Sequence, residues 1–172
     1  MATGIVFIHG AGEGAYDEDA ALVASLADQL GLPVDYPRMP DDDDWVPAIA
    51  AAVNAAASPV ALVGHSAGGC QLLEYLASQA ALPPIAAVCI IAAPFPGGDP
   101  DWTFDGFDLP VFSDRMPHPV FLYASEDDEV VPFAHRDLWA AAIPGSVTRT
   151  TVGGHQLGGD LSAVAADIAT RG

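Results

Sequence analysis

Three residue types that together perform acyl chemistry occur in a telling order along the chain. Ser66 stands in Gly64-His65-Ser66-Ala67-Gly68, Asp128 in Ser125-Glu126-Asp127-Asp128-Glu129-Val130-Val131-Pro132, and His155 in Gly153-Gly154-His155. A serine hydroxyl is a weak nucleophile at neutral pH. It needs a base to take its proton and a further group to hold that base. Ser66 follows the apolar run Pro59-Val60-Ala61-Leu62-Val63 and precedes a helical pattern with Leu72, Leu73 and Leu76 on one face. It is therefore expected on a sharp turn from a buried strand into a helix, with glycines two before and two after it to relieve crowding. The Ala67 amide, at the start of that helix, is free to donate to an oxyanion.

The base is expected at His155, which follows the last strand and is preceded by two glycines. Of the five histidines, it alone combines this position with the right order. His9 ends the first strand and is expected to order the loop after it. His65 lies inside the turn and points away from Ser66. His118 precedes a proline at a strand start, and His135 lies in a helix. The acid is expected after the fifth strand, where four acids stand in a row and composition cannot select one. Asp128 is the first choice and Asp127 the next, with the role of accepting the histidine's other ring proton. A second oxyanion donor is expected in Gly10-Ala11-Gly12, with Ala11 as the donor through its main-chain amide. A dinucleotide reading of that loop fails. The third glycine of Gly10-Ala11-Gly12-Glu13-Gly14 comes one residue early, and the chain has no lysine for a phosphate loop.

The elements that would position these residues alternate strand and helix throughout. The runs Ile5-Val6-Phe7-Ile8, Val60 to Val63 and Ile85 to Ala92 are continuously apolar, as strands buried on both faces are. The expected fold is thus α/β, a three-layer sandwich of about six mainly parallel strands with helices on both faces, forming one domain over residues 1–172. Helices are expected over about Asp17 to Leu30, around Trp45, Ile49 and Val53, over Ala67 to Ala81, around Phe133 to Trp139, and over Asp160 to Ala169. The acidic run Asp41 to Asp44 lacks the ligand spacing of a calcium loop and is expected to cap the second helix. No metal or cofactor is implied. The irregular segment from Pro94 to Pro117 leaves a strand's carboxyl end, where ligands bind in such sheets. Its aromatics Phe95, Trp102, Phe104 and Phe107 are candidates for a pocket wall.

A net charge of −18 in 172 residues argues against nucleic-acid partners and anionic membranes, because phosphate binding needs a basic patch. Cys70 and Cys89 read as small core residues rather than a disulfide framework. No apolar run approaches a membrane span, and the first strand begins soon after Met1 with no basic start. These features lead to the expectation of a cytoplasmic protein.

The residues His9-Gly10-Ala11-Gly12, Gly64-His65-Ser66-Ala67-Gly68, Asp128-Glu129-Val130-Val131-Pro132 and His155 resemble those of the α/β-hydrolases, over essentially the whole chain. With no large cap, and with Met39-Pro40-Asp41 ahead of Trp45, the chain is similar to the small lidless serine hydrolases of the retinoblastoma-binding-protein-9 type. The resemblance implies the same fold, a Ser66–His155–Asp128 set in which the family's acid falls on Asp128, no cofactor, and a small-molecule acyl substrate, with small or short-chain esters ahead of long lipids. Thioesterase, amidase and perhydrolase activities use the same parts. A binding protein on a hydrolase scaffold is the alternative from another class.

Overall fold

Alternate residues of the apolar runs face opposite sides of one sheet, and both sides are covered. In the computed structural model, which describes residues 1–41, 44–104, 107–112, 114, 116 and 118–170, the strands are β1 (Gly4–Ile8), β2 (Val34–Asp35), β3 (Val60–His65), β4 (Ile85–Ile91), β5 (Val120–Ser125) and β6 (Val147–Thr151). The helices are α1 (Ala15–Leu30), α2 (Val46–Ala55), α3 (Ala67–Ser78), α4 (Ala134–Ala142) and α5 (Ser162–Ala169), with a short 3-10 turn at Leu157–Gly159 before the last. Val6, Ile8, Leu62, Val88, Ile90 and Leu122 pack against α2, α3 and α4. The intervening Ile5, Phe7, Ala61, Val63, Cys89, Phe121 and Tyr123 pack against α1 and α5. With both faces buried there is no polar side to alternate toward, so each central strand reads as a continuous apolar run.

The strand order is β2-β1-β3-β4-β5-β6 and every pairing is parallel. The chain moves outward from β1 to β2, then returns to the other side of β1 to make β3. The strand order reverses between β1 and β3, and the crevice beyond their carboxyl ends is where ligands bind in open parallel sheets. Gly64 of β3 is in register with Ile8 of β1, so the loop after β1 and the turn after β3 lie side by side. No helix among the described residues is long and apolar enough to cross a membrane.

Several boundaries differ from those expected. α3 stops at Ser78 rather than Ala81: Gln79 is extended, and the Ser78 hydroxyl donates to the Tyr75 carbonyl, competing with the helical ladder. α2 has Trp45 at its N-cap, with no side-chain cap bond, and the Trp45 indole N–H donates to Pro40 O. The cap expected of the acidic run is therefore not made by Asp44, and Asp42 and Asp43 lie outside the described residues. So do residues 105, 106, 113, 115 and 117 of the irregular segment. α5 begins two residues later than expected, yet Asp160 still serves its start by accepting the Ser162 amide at 2.8 Å. Cys70 and Cys89 are free and buried.

Candidate active site

The turn after β3 carries Ser66 at φ 53, ψ −127, a left-handed conformation that a residue with a side chain rarely adopts. Its surroundings hold it there. The Ser66 amide donates to Ile91 O at 2.8 Å and its carbonyl accepts the Gly69 amide at 2.9 Å. The flanking glycines are required by space. A Cβ at Gly64 would stand 2.7 Å from the Gly69 Cα, and one at Gly68 would stand 2.3 Å from the His9 carbonyl oxygen. Strand and helix meet this closely because both positions lack side chains.

The glycine loop after β1 is held from two sides. The Met39 amide donates to His9 Nε2 at 2.9 Å, so Nδ1 carries the ring hydrogen and donates to Gly10 O at 2.6 Å. Gly10 O and the Ala11 N–H belong to one planar trans peptide and point in opposite directions. Holding the carbonyl therefore aims the Ala11 N–H. The Gly10 N–H is already taken by Asp19 Oδ2 at 2.9 Å. Of these two neighbouring amides, Ala11 is the one free of that bond.

Asp128 and His155 meet at the carboxyl ends of β5 and β6. His155 Nδ1 lies 2.9 Å from Asp128 Oδ2, with the Asp128 side chain 1% exposed and that of His155 16%. Asp128 Oδ1 accepts the Val130 and Val131 amides at 2.8 and 2.9 Å. Burial works against ionisation of Asp128, but the bonds from His155, Val131 and Val130 outweigh it and hold the carboxyl below its ordinary pKa. Asp127 does something different. Its exposed carboxylate accepts the Gly154 and Gly153 amides at 3.1 and 3.2 Å, which hold its pKa low as well. It fastens the loop whose next residue is His155. Gly153 within that loop has φ 98, and a Cβ there would fall 2.4 Å from the Gly158 nitrogen.

A cavity of about 620 Å³ opens beside the glycine loop and the start of α3, within the usual range of about 300–1,000 Å³ for small-molecule sites. Ala11 and Ala67 both line it, with Met39, Trp45, Cys70, Phe104 and Phe107 as apolar wall and Glu13, Asp17, Arg38 and Asp41 as polar lining. Of the four aromatics expected in a pocket wall, Phe104 and Phe107 are there. Phe95 and Trp102 are not among its lining residues. The Phe95 ring packs on Trp139 at 4.9 Å, and Trp102 stands 6.2 Å from the His135 ring. His135 explains this placement. Its Nδ1 accepts the Phe95 amide at 2.7 Å, leaving Nε2–H to donate to Asp99 at 2.7 Å. The start of the irregular segment is thereby tied to α4, next to the cavity wall: Pro94 O accepts from Cys70 Sγ at 3.0 Å and the Trp102 ring stands 6.1 Å from that of Phe104.

Sequence reasoning missed Asp19 and His65 as members of the site. In sequence, Asp17, Glu18 and Asp19 alike suit the positive start of α1, and nothing in that placing separates Asp19 from the other two. Yet Asp19 lies on the stripe Asp19, Leu22, Leu26 that faces the sheet, and all three are buried. An acid at i−3 and i−7 from core leucines was the available signal.

The arrangement provides a strained serine turn, an acid–histidine pair and, in the cavity lining, Ala11 and Ala67; Ser66, Asp128 and His155 are not themselves among the lining residues. The family model described as serine hydrolase matches residues 20–158. No curated protein sequence matches the chain. Among solved structures, a YdeN-like hydrolase from Pectobacterium atrosepticum is 21% identical, with 98% of this chain and 90% of that one covered and a TM-score of 0.69. A hydrolase of the alpha/beta superfamily from Xanthomonas campestris is also 21% identical, with 98% and 96% covered and a TM-score of 0.65. Est1E from Butyrivibrio proteoclasticus, solved with ferulic acid bound, is 16% identical, with 98% and 87% covered and a TM-score of 0.69. At these identities the likeness is one of fold.

Proposed function

The chain belongs to the serine hydrolase family, and from that premise we propose that it cleaves small or short-chain carboxylic esters through an acyl-enzyme. Ser66 Oγ attacks the acyl carbonyl carbon while His155 Nε2 takes the hydroxyl proton. Asp128 holds His155 Nδ1–H and stabilises the imidazolium. The Ala11 and Ala67 amides receive the oxyanion. The alcohol departs with the proton from His155. Water then attacks the acyl-enzyme carbonyl, His155 again taking a proton, which it returns to Ser66 Oγ as the carbonyl–Oγ bond breaks and the acid is released. The observation that carries this reading is the 2.9 Å His155–Asp128 bond, formed in the order and at the strand ends that such a serine turn requires.

The cavity favours neutral acyl groups. Its wall is apolar, and Glu13, Asp17 and Asp41 in its lining oppose an anionic ester that Arg38 alone would attract. The free, buried cysteines accord with a reducing cytoplasm as its place of action. A fluorophosphonate is expected to label the protein at Ser66 and not to label Ser66→Ala. Absence of labelling in folded protein would replace the enzyme with a binding role. Nitrophenyl acetate to hexanoate are expected to give higher kcat/KM than the dodecanoate, and the reverse order would reject the short-chain assignment.

The neighbouring acids separate in the same assay. Asp128→Asn is expected to lower kcat by about 10³- to 10⁴-fold, because the buried partner of the histidine is lost. Asp127→Asn removes only an exposed fastening of the loop and is expected to cost less than about tenfold. The opposite ranking would assign the acid to Asp127.

A further inference from the structure

One buried pair reaches three of the four segments that carry the groups assigned above: the glycine loop, the nucleophile turn and the His155 loop. The side chains of Asp19, on α1, and His65, at the end of β3, are each 1% exposed. Asp19 Oδ2 accepts the Gly10 amide and His65 Nδ1–H, both at 2.9 Å, and its Oδ1 accepts Gln156 Nε2–H at 3.0 Å. On the far side of the ring, His65 Nε2 lies 2.9 Å from the main-chain carbonyl oxygen of His155. A carbonyl oxygen can only accept. A carboxylate already receiving N–H groups on both oxygens does the same. His65 therefore donates from both ring nitrogens, as an imidazolium opposite a carboxylate. Burial opposes the ionised form of Asp19, but the bond and charge of His65, then the bonds from Gln156 and Gly10, outweigh it and hold the carboxyl below its ordinary range.

A buried ion pair is a weak source of net stability, since apolar side chains of the same volume often serve as well. What it supplies here is connection. Gly10 adjoins the Ala11 amide, His65 adjoins Ser66, and the accepting carbonyl belongs to His155 itself. We propose that Asp19 and His65 are positioning residues for the acyl transfer: the pair holds the glycine loop, the nucleophile turn and the general-base loop in one geometry. This rests on the roles assigned above to Ser66, Asp128 and His155. Among the described residues, the titratable groups facing His65 are Asp19 from α1 and the His155 ring, whose centroid is 4.7 Å away in the loop after β6.

The test uses the full chain. Asp19→Asn keeps the shape and removes the charge, whereas His65→Gln keeps one donor and removes the other. Each is expected to lower kcat on nitrophenyl acetate by roughly 10- to 100-fold with KM within about twofold, because loops misplaced by a fraction of an ångström lose rate rather than binding. Turnover is counted per site titrated with fluorophosphonate, so loss of folded protein does not enter. Wild-type kcat per titrated site in both variants overturns the proposal, whatever their melting temperatures. Imidazole ¹⁵N NMR of the wild-type protein at neutral pH gives a readout that needs neither activity nor a folded variant. Two protonated His65 nitrogens are expected, and a neutral tautomer overturns the pair. Should wild-type protein resist the fluorophosphonate, the hydrolase reading is what fails, and the NMR spectrum still decides the state of His65.

Discussion

Ser66→Ala is expected to lower kcat by on the order of 10⁵- to 10⁶-fold and to leave the melting temperature of the protein nearly unchanged. Without Oγ no acyl-enzyme can form, and His155 has no hydroxyl proton to take. What remains is water acting on an ester held by the Ala11 and Ala67 amides, a residual catalysis on the order of 10³ to 10⁴ over solution. In the proposed mechanism serine, histidine and acid act as one unit. His155→Ala is therefore expected to cost about as much as Ser66→Ala, and the double variant little more than either. Stability is spared because alanine keeps the same Cβ at φ 53 and the same amide bond to Ile91 O. Steady-state kinetics on nitrophenyl acetate with calorimetry of the same sample provide the check. Activity within tenfold of wild type would remove Ser66 from its role.

Gly68→Ala is expected to damage the fold more than a methyl group added at an uncrowded glycine. The added carbon would stand 2.3 Å from His9 O and 2.4 Å from Ile8 O. Both are main-chain atoms at the end of β1, so no side chain can turn aside to make room. Alanine in a helix is ordinarily favoured over glycine by roughly 0.5–1 kcal/mol. Overpacking against a rigid neighbour costs about 1–3 kcal/mol and sometimes more, so the clash wins. With so close a contact the cost falls at the upper end of that range, and a net loss of about 2–2.5 kcal/mol is expected, or roughly 4–10 °C in Tm at about 2–4 °C per kcal/mol for a domain of this size. Gly97→Ala is the informative comparison. Gly97 has φ 75, but a Cβ added there would meet nothing within 4 Å, so only backbone strain of about 1–2 kcal/mol opposes it. Urea titration of the two variants separates the effects. Equal or smaller loss at Gly68 would mean that α3 and β1 do not approach as described. The same clash displaces the end of β1 that leads to Ala11, so surviving Gly68→Ala protein is also expected to turn over slowly.

The parallel sheet and the placing of Ser66, the acids and His155 at strand ends were legible in the chain because each leaves a local mark. Strands buried on both faces are continuous apolar runs, and Ile5 to Ile8, Val60 to Val63 and Ile85 to Ile91 read as such. The crowded turn at Ser66 shows in the glycines at 64 and 68, since only they fit a contact under 3 Å. Ser66, the acids after β5 and His155 follow strand ends, and strand ends can be located from sequence. Other features depended on which segments meet in space. Asp127 and Asp128 are identical in type and adjacent in sequence; one is buried on His155 and the other accepts loop amides in solvent, a difference set by the path of the β6 loop. Phe95 and Trp102 shared an aromatic-rich segment with Phe104 and Phe107, but His135, 40 residues along the chain from Phe95, tied the first part of it to α4. Asp19 and His65, 46 residues apart, gave no sign of one another. By itself the sequence determined the sheet, the turn and the set of chemical groups, because propensity, burial pattern and steric need are local. The tertiary structure decided which acid holds the histidine, which aromatics line the cavity and which buried pair ties the loops together, because hydrogen bonds between distant segments exist only once the chain has folded.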